Sequence, residues 1–173
     1  DGTLSKTMHA IPVDSSVIGY MDRYPRIPYC RTTAFSQKFF NEYNMCVPYV
    51  KCVNDVFKNY APHRYKIQKA MADASSQDFI IKDTAFTTVT VNKNFQTAGH
   101  KDAGDLKEEV HGNTGAKDAS YFERISVVCY YREKMIYCGT KEYELERAKT
   151  ETKKIALPEE IAKADEIREK ILG

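Results

Sequence analysis

The chain holds four histidines, at positions 9, 63, 100 and 111, and two of them stand in a glycine-rich stretch. His100 opens the triplet His100-Lys101-Asp102, and His111 follows nine residues after Asp102. An imidazole and a carboxylate two residues apart can bind one face of a metal ion. A second histidine completes a two-histidine, one-carboxylate set, which suits Fe(II) and leaves positions open for substrate and oxygen. The same triplet also occurs in ordinary solvated turns, so its company decides its meaning.

That company includes Arg124, immediately before the apolar run Ile125–Tyr131. An arginine entering an apolar strand needs a partner, because an unpaired buried charge is costly. An internal Arg–Glu pair is one solution. An anionic ligand is the other, with the guanidinium forking onto a carboxylate. Ser126 would share the strand face of Arg124 and could donate its hydroxyl to the same carboxylate. Together these residue types fit one reaction class. Fe(II) on His100, Asp102 and His111 would be chelated by the keto-acid end of 2-oxoglutarate. Arg124 and Ser126 would hold its far carboxylate, and molecular oxygen would be the co-substrate. Oxidative decarboxylation to succinate and CO2 would then drive hydroxylation of an unactivated C–H bond, in a pocket that the protein keeps oriented and dry.

These side chains need elements to hold them. Residues 1–34 are rich in Pro, Tyr and Arg and read as irregular, with short strands. Phe39, Phe40 and Tyr43 have helical spacing, with Ser36 as N-cap. Pro48 is expected to break that helix or open a second, in which Val50, Val53, Phe57 and Tyr60 would face inward. A third helix is expected over 63–74, with Ile67, Met71 and Ala74 inward. DFIIKDTAFTTVTVNKN reads as one or two strands to Asn92. ISVVCYY reads as a central strand with Cys129 in the core, and REKMIYC as a further strand. The stretch 157–172 reads as an amphipathic helix with Pro158 in its first turn. Helices, then strands, then a helix imply an α+β fold with an antiparallel sheet. Only four or five strands are convincing, fewer than a sandwich or barrel usually needs.

Composition narrows the setting. The net charge is +2, which excludes a polybasic, histone-like binder but not an enzyme with one basic face. The longest apolar run, Val127–Tyr131, is far short of the ~18 residues of a membrane span. Five cysteines with no C-x-x-C point to reduced thiols in a cytoplasmic protein without membrane attachment.

PYCRTTAFS (28–36), FTTVTVNKNFQTAGHKDAGDLKE (86–108), HGNT (111–114) and RISVVCYYREKM (124–135) carry a family resemblance. Over about residues 20–140 the chain resembles the thymine dioxygenases of the base J-binding protein group. These belong to the TET/JBP branch of iron and 2-oxoglutarate oxygenases, and the likeness is to its small phage-type members. The resemblance implies a double-stranded β-helix, the cupin-like jelly roll, as core. It implies one dioxygenase domain over 1–173, with an N-terminal helical cover over 1–80, the jelly roll over 81–140 and a C-terminal helical region over 141–173. It implies hydroxylation of the thymine methyl in DNA to 5-hydroxymethyluracil, His100, Asp102 and His111 as iron ligands, and Arg124 as the 2-oxoglutarate arginine. For a phage-encoded enzyme the location would be the host cytoplasm, with downstream hydroxymethyluracil-modifying enzymes as partners.

In that family several tens of residues, including central strands, separate the H-x-D from the distal histidine. Here eight residues do. Eight residues cannot supply strands of ~5–6 residues each. Part of the jelly roll is therefore expected to be missing from the chain, near Glu108 and Glu109.

A methyl inside a duplex cannot reach an iron centre, so a DNA substrate would be flipped out or single-stranded. Arg23, Arg26, Arg31, Lys82, Lys93 and Lys101 are candidate phosphate contacts, with Tyr20, Tyr24 and Tyr29 as stacking platforms. The alternatives are a 5-methylcytosine, free-nucleotide or small-molecule hydroxylase of the same chemistry, and a non-catalytic DNA-binding module.

Overall fold

The computed structural model describes residues 3–4, 12–94, 125–150 and 153–173. His100, Asp102, His111, Arg124 and Lys101 lie outside these residues, as does the expected junction at Glu108–Glu109. The elements are β1 (Thr3–Leu4), β2 (Pro12–Met21), β3 (Arg31–Thr32), α1 (Ala34–Lys38), α2 (Phe40–Tyr60), α3 (Pro62–Ala74), β4 (Thr88–Lys93), β5 (Ile125–Tyr130), α4 (Lys141–Lys149) and α5 (Pro158–Leu172). The fold is mixed, and its one sheet among the described residues is antiparallel throughout, in the order β1-β2-β4-β5 with β3 also on β2. The second, facing sheet of a jelly roll is not formed by the described residues.

β2 serves two partners. Asp14 to Gly19 pair with β4, while Tyr20 and Met21 pair with β3. The switch falls at Gly19, whose φ of +93° favours glycine. A Cβ there would lie 2.5 Å from the Thr87 carbonyl oxygen. Its N–H, turned from the ladder, donates to Ser36 Oγ at 2.9 Å.

The helices differ from the sequence expectation in instructive ways. Thr33, not Ser36, caps α1, accepting from the Ser36 N–H at 3.3 Å. Pro48 does not break α2, which runs unbroken through it. Asn44, whose carbonyl loses its partner to the proline, is exposed, so water can satisfy it. The inward face of α2 is Tyr43, Val50 and Asn54, while Val53 and Tyr60 face solvent. On α3 the buried residues are Gln68, Met71 and Ala72. Asn54 and Gln68 are buried to hold both backbone groups of one residue: Asn54 Oδ1 accepts from the Ala85 N–H and Gln68 Nε2 donates to the Ala85 carbonyl, both at 2.9 Å. Phe86 then stacks on Phe57, and the chain enters β4. Of the stretch 78–93 only β4 is a strand. Residues 133–137, expected as a strand, form a 3₁₀ turn.

Two apolar clusters result. One joins Ile18, Tyr43, Val50, Ile81, Phe86 and Val89. The other joins α3, the 3₁₀ turn and α5 through Met71, Tyr131, Met135 and Ala164. Tyr20 packs against both, its ring edge-on to Tyr43 and Phe79.

The C-terminal helices are tied down by charge. Arg23 is wholly buried. Its guanidinium makes a two-pronged pair with the Glu144 carboxylate and donates to Glu160 Oε2 at 2.8 Å. Glu144 also accepts from the Cys30 N–H at 2.7 Å and the Gly139 N–H at 2.8 Å. Burial acts to lower the Arg23 pKa, but the two carboxylates outweigh it, and the group is held charged. Burial acts to raise Glu160, but Arg23 and the Leu157 N–H bring it below the usual carboxylate range. Beside this network Cys30 and Cys138 are joined by a disulfide, with Cα atoms 6.1 Å apart. This corrects the expectation of five reduced thiols: two side chains 108 residues apart in sequence are buried together. Cys46, Cys52 and Cys129 are free.

Two measurements check this picture. Thiol titration of the unfolded chain should find three free thiols before reduction and five after, the three being Cys46, Cys52 and Cys129. Five before reduction would remove the disulfide. Arg23→Ala should cost about 3–5 kcal/mol in urea denaturation, since it leaves Glu144 buried and uncompensated. Because Glu160 is lowered by folding, its contribution is present above the ordinary carboxylate pKa and is lost as pH falls through the folded value. Stability that rises on acidification across that range would contradict the pairing.

Candidate active site

β4 lies between β2 and β5, and its residues alternate. Val89 and Val91 turn toward α2 with Ile18 and Cys129 and join the core. Burial pushes the Cys129 thiol up to about 11, which makes it a packing residue and not a nucleophile.

The opposite face carries Asn92, Thr90 and Thr88, with Val17 and Val128 on either side of Thr90. Asn92 stands between Ser15 and Ser126 in register, and Ser15 Oγ donates to Asn92 Oδ1 at 2.6 Å. Further along, the Thr90 and Tyr130 hydroxyls are 3.1 Å apart. Arg132 donates to the Tyr130 hydroxyl at 3.4 Å and to Asp22 Oδ1 at 2.7 Å. Burial acts to lower the Arg132 pKa, but Asp22 more than offsets it. The guanidinium is therefore charged and already paired. Ser126 sits half-buried in this polar row. The sequence reading missed Ser15, Thr90, Asn92 and Tyr130. The signal was present as Thr88, Thr90 and Asn92 alternating with Val89 and Val91.

The strand ends that flank residues 95–124 are neighbours, because Lys93 and Ile125 are register partners. The segment carrying His100, Asp102, His111 and Arg124 thus leaves and rejoins the sheet beside the Ser15–Asn92–Ser126 row. Among the described residues, one group of metal-type side chains comes together: Cys30, Cys138 and Glu144. It does not fit a metal. The sulfurs are bonded to each other, and both carboxylate oxygens already accept from Arg23 and from backbone N–H groups. The described residues therefore hold no competitor for the His/Asp/His set.

The candidate phosphate contacts separate. Arg23 is buried in its ion pair, and Tyr20 is wedged between the two cores. The Arg23 expectation is corrected, since its side chain is wholly buried, while Tyr20 is half-buried with its ring edge-on to Tyr43 and Phe79. Arg26 is exposed at the turn closed by the Tyr24 and Ile27 bridge. Arg31 lies over the Tyr24 ring at 5.2 Å. Lys82 and Lys93 are exposed. No helix among the described residues is long and apolar enough to cross a membrane.

Residues 16–109 match a family described as the oxygenase domain of the 2OGFeDO superfamily, Tet_JBP. The chain is 28% identical over 162 residues to the bifunctional helicase and thymine dioxygenase JBP2 of Trypanosoma cruzi (strain CL Brener), covering 69% of this chain and 15% of that protein. It is 32% identical over 103 residues to the same-named protein of Leishmania tarentolae, covering 58% and 9%. It is 35% identical over 96 residues to the thymine dioxygenase JBP1-B of Trypanosoma cruzi, covering 53% and 11%. The chain thus spans 9–15% of the length of these relatives. No solved structure matches.

The two faces of β4 predict unequal costs. Val89→Asp puts a charge into a wholly buried place and should cost several kcal/mol. Asn92→Ala should cost about 0.5–1.5 kcal/mol, the worth of a hydrogen bond. Equal losses in chemical denaturation would contradict the assignment of faces.

Proposed function

Since the chain belongs to the Tet_JBP family of oxygenase domains in the 2OGFeDO superfamily, we propose that it is an Fe(II)- and 2-oxoglutarate-dependent hydroxylase acting on the thymine methyl of DNA to give 5-hydroxymethyluracil. One observation carries this reading. The family match, residues 16–109, contains His100-Lys101-Asp102, and relatives with that likeness are named thymine dioxygenases. The donor chemistry supports iron, because two imidazoles and one carboxylate suit Fe(II) and leave room for a bidentate keto acid.

His100, Asp102 and His111 would hold the metal, which when bound supplies the oxygen chemistry. Arg124 would fork onto the far carboxylate of 2-oxoglutarate. It would enter β5 on the face of Ser126, whose hydroxyl would donate to the same carboxylate. Arg132 and Arg23 are already paired with acids and leave this role to Arg124. Asn92 and Ser15, in register with Ser126, would keep that hydroxyl on the Asn92 face and free of the core. A jelly roll would enclose the site, in one domain over 1–173. Arg26, Arg31, Lys82, Lys93 and Lys101 would meet phosphates of a flipped or single strand, with Tyr24 and Tyr29 near the first two.

The eight-residue interval between Asp102 and His111 favours a second reading, a non-catalytic DNA-binding module. Incubation with Fe(II), 2-oxoglutarate, oxygen and thymine-containing DNA, followed by mass spectrometry of the nucleosides, separates the two. The expected product is 5-hydroxymethyldeoxyuridine, absent with Asp102→Ala. Hydroxymethylcytosine in its place would shift the substrate to 5-methylcytosine. No oxidised nucleoside, with DNA still bound, would favour the non-catalytic module.

A further inference from the structure

α2 carries a second apolar face that the core does not use. Tyr43, Val50 and Asn54 point inward. On the other side Met45, Tyr49, Cys52 and Val56, with Val53 and Tyr60 beside them, lie at helical three- and four-residue spacings and are exposed, Tyr49 at 76% and Tyr60 at 87%. Stepping about 100° per residue leaves no charged residue within this stripe from Met45 to Tyr60, since Lys51, Asp55 and Lys58 fall beside or behind it. The two tyrosines alone leave about 300 Å² open. With the other four the stripe approaches the roughly 800 Å² per partner of a standard interface.

We propose that a second copy of this chain covers the stripe, α2 packing antiparallel on α2 about a two-fold axis at Cys52 and Val53. A two-fold contact must be reciprocal, with residue i meeting j and j meeting i. The stripe satisfies this in size as well as position. Its centre, Cys52 and Val53, is small, where crossing helices come closest. Tyr49 faces Val56 of the copy, large against small, and Met45 faces Tyr60. Charge at the end of the helix sets the direction of pairing. Glu42 stands exposed at the N-terminal end of α2. Antiparallel pairing keeps the two Glu42 carboxylates at opposite ends of the contact, whereas parallel pairing would set Glu42 against Glu42.

Cys52 is the one exposed cysteine among the described residues, which gives the test. Sedimentation of the full 173-residue chain should show a concentration-dependent monomer–dimer equilibrium. Copper-phenanthroline should oxidise two Cys52 thiols across the axis to a disulfide, two electrons passing to Cu(II) and two protons to solvent. Peptide mapping should show a Cys52–Cys52 link. Cys52→Ser should abolish the link and keep the equilibrium. Val53→Glu brings like charges together at the axis and should weaken the dimer at least tenfold without changing the far-ultraviolet circular dichroism; Tyr49→Arg serves if that variant does not fold. Monomer at every concentration, or a dimer unchanged by these substitutions, would overturn the proposal. So would occupation of the stripe by a different protein segment, seen as Cys52 protected from alkylation in the monomer.

Discussion

A strand between two others must give its two faces different neighbours, and β4 is where this molecule meets that constraint. Val89 and Val91 satisfy one face by burial against α2. Thr90 and Asn92 then have no choice but the other face, where hydroxyls and amides find one another across β2 and β5. A one-residue slip of register would exchange the faces, burying Asn92 and exposing Val89. Much around β4 guards against that slip. The N–H and the carbonyl of Ala85 are both held by buried amides, and Gly19 ends the β2–β4 pairing at a position where a Cβ would meet a carbonyl oxygen.

The second organising interaction is the buried Arg23–Glu144 pair. Burying two charges is costly, and here the cost is offset by giving every oxygen of Glu144 two donors. Those donors come from Arg23 just after β2, the Cys30 N–H and the Gly139 N–H, so one carboxylate gathers chain segments more than a hundred residues apart. Glu160 extends the pair to α5. Asp22, next to Arg23 in the chain, accepts from Arg132, which in turn donates to the Tyr130 hydroxyl at the far end of the Asn92 face.

How much of this was legible in the sequence follows from range. Local signals were readable: the helical spacing over 36–74, Pro158 opening α5, the β-branched run of β4 and the apolar run of β5. The inward face of α2 was not, because Val53 and Tyr60 are as apolar as Val50, and only the position of Ile18 and Phe86 decides which side is core. Nor was the fate of Arg23, since its partner lies 121 residues away. REKMIYC read as a strand by composition, but Met135 and Ile136 are drawn into the second core as a 3₁₀ turn. The H-x-D, the distal histidine and Arg124 lie outside the described residues, and their roles rest on residue type together with the family match. The described sheet contributes what spacing could not: the polar row of Ser15, Asn92 and Ser126 beside the points where that segment leaves and returns.

The central claim is that this face is the floor of a metal-dependent 2-oxoglutarate site closed by Arg124. Calorimetric titration of 2-oxoglutarate into the chain under argon, with and without Fe(II), tests it directly. The account predicts one-to-one binding that requires the metal. Arg124→Ala should weaken that binding by about 2–5 kcal/mol, the cost of stripping a desolvated charge pair of one partner, while Fe(II) is still taken up. Binding of equal strength without metal, or unchanged in Arg124→Ala, would contradict it.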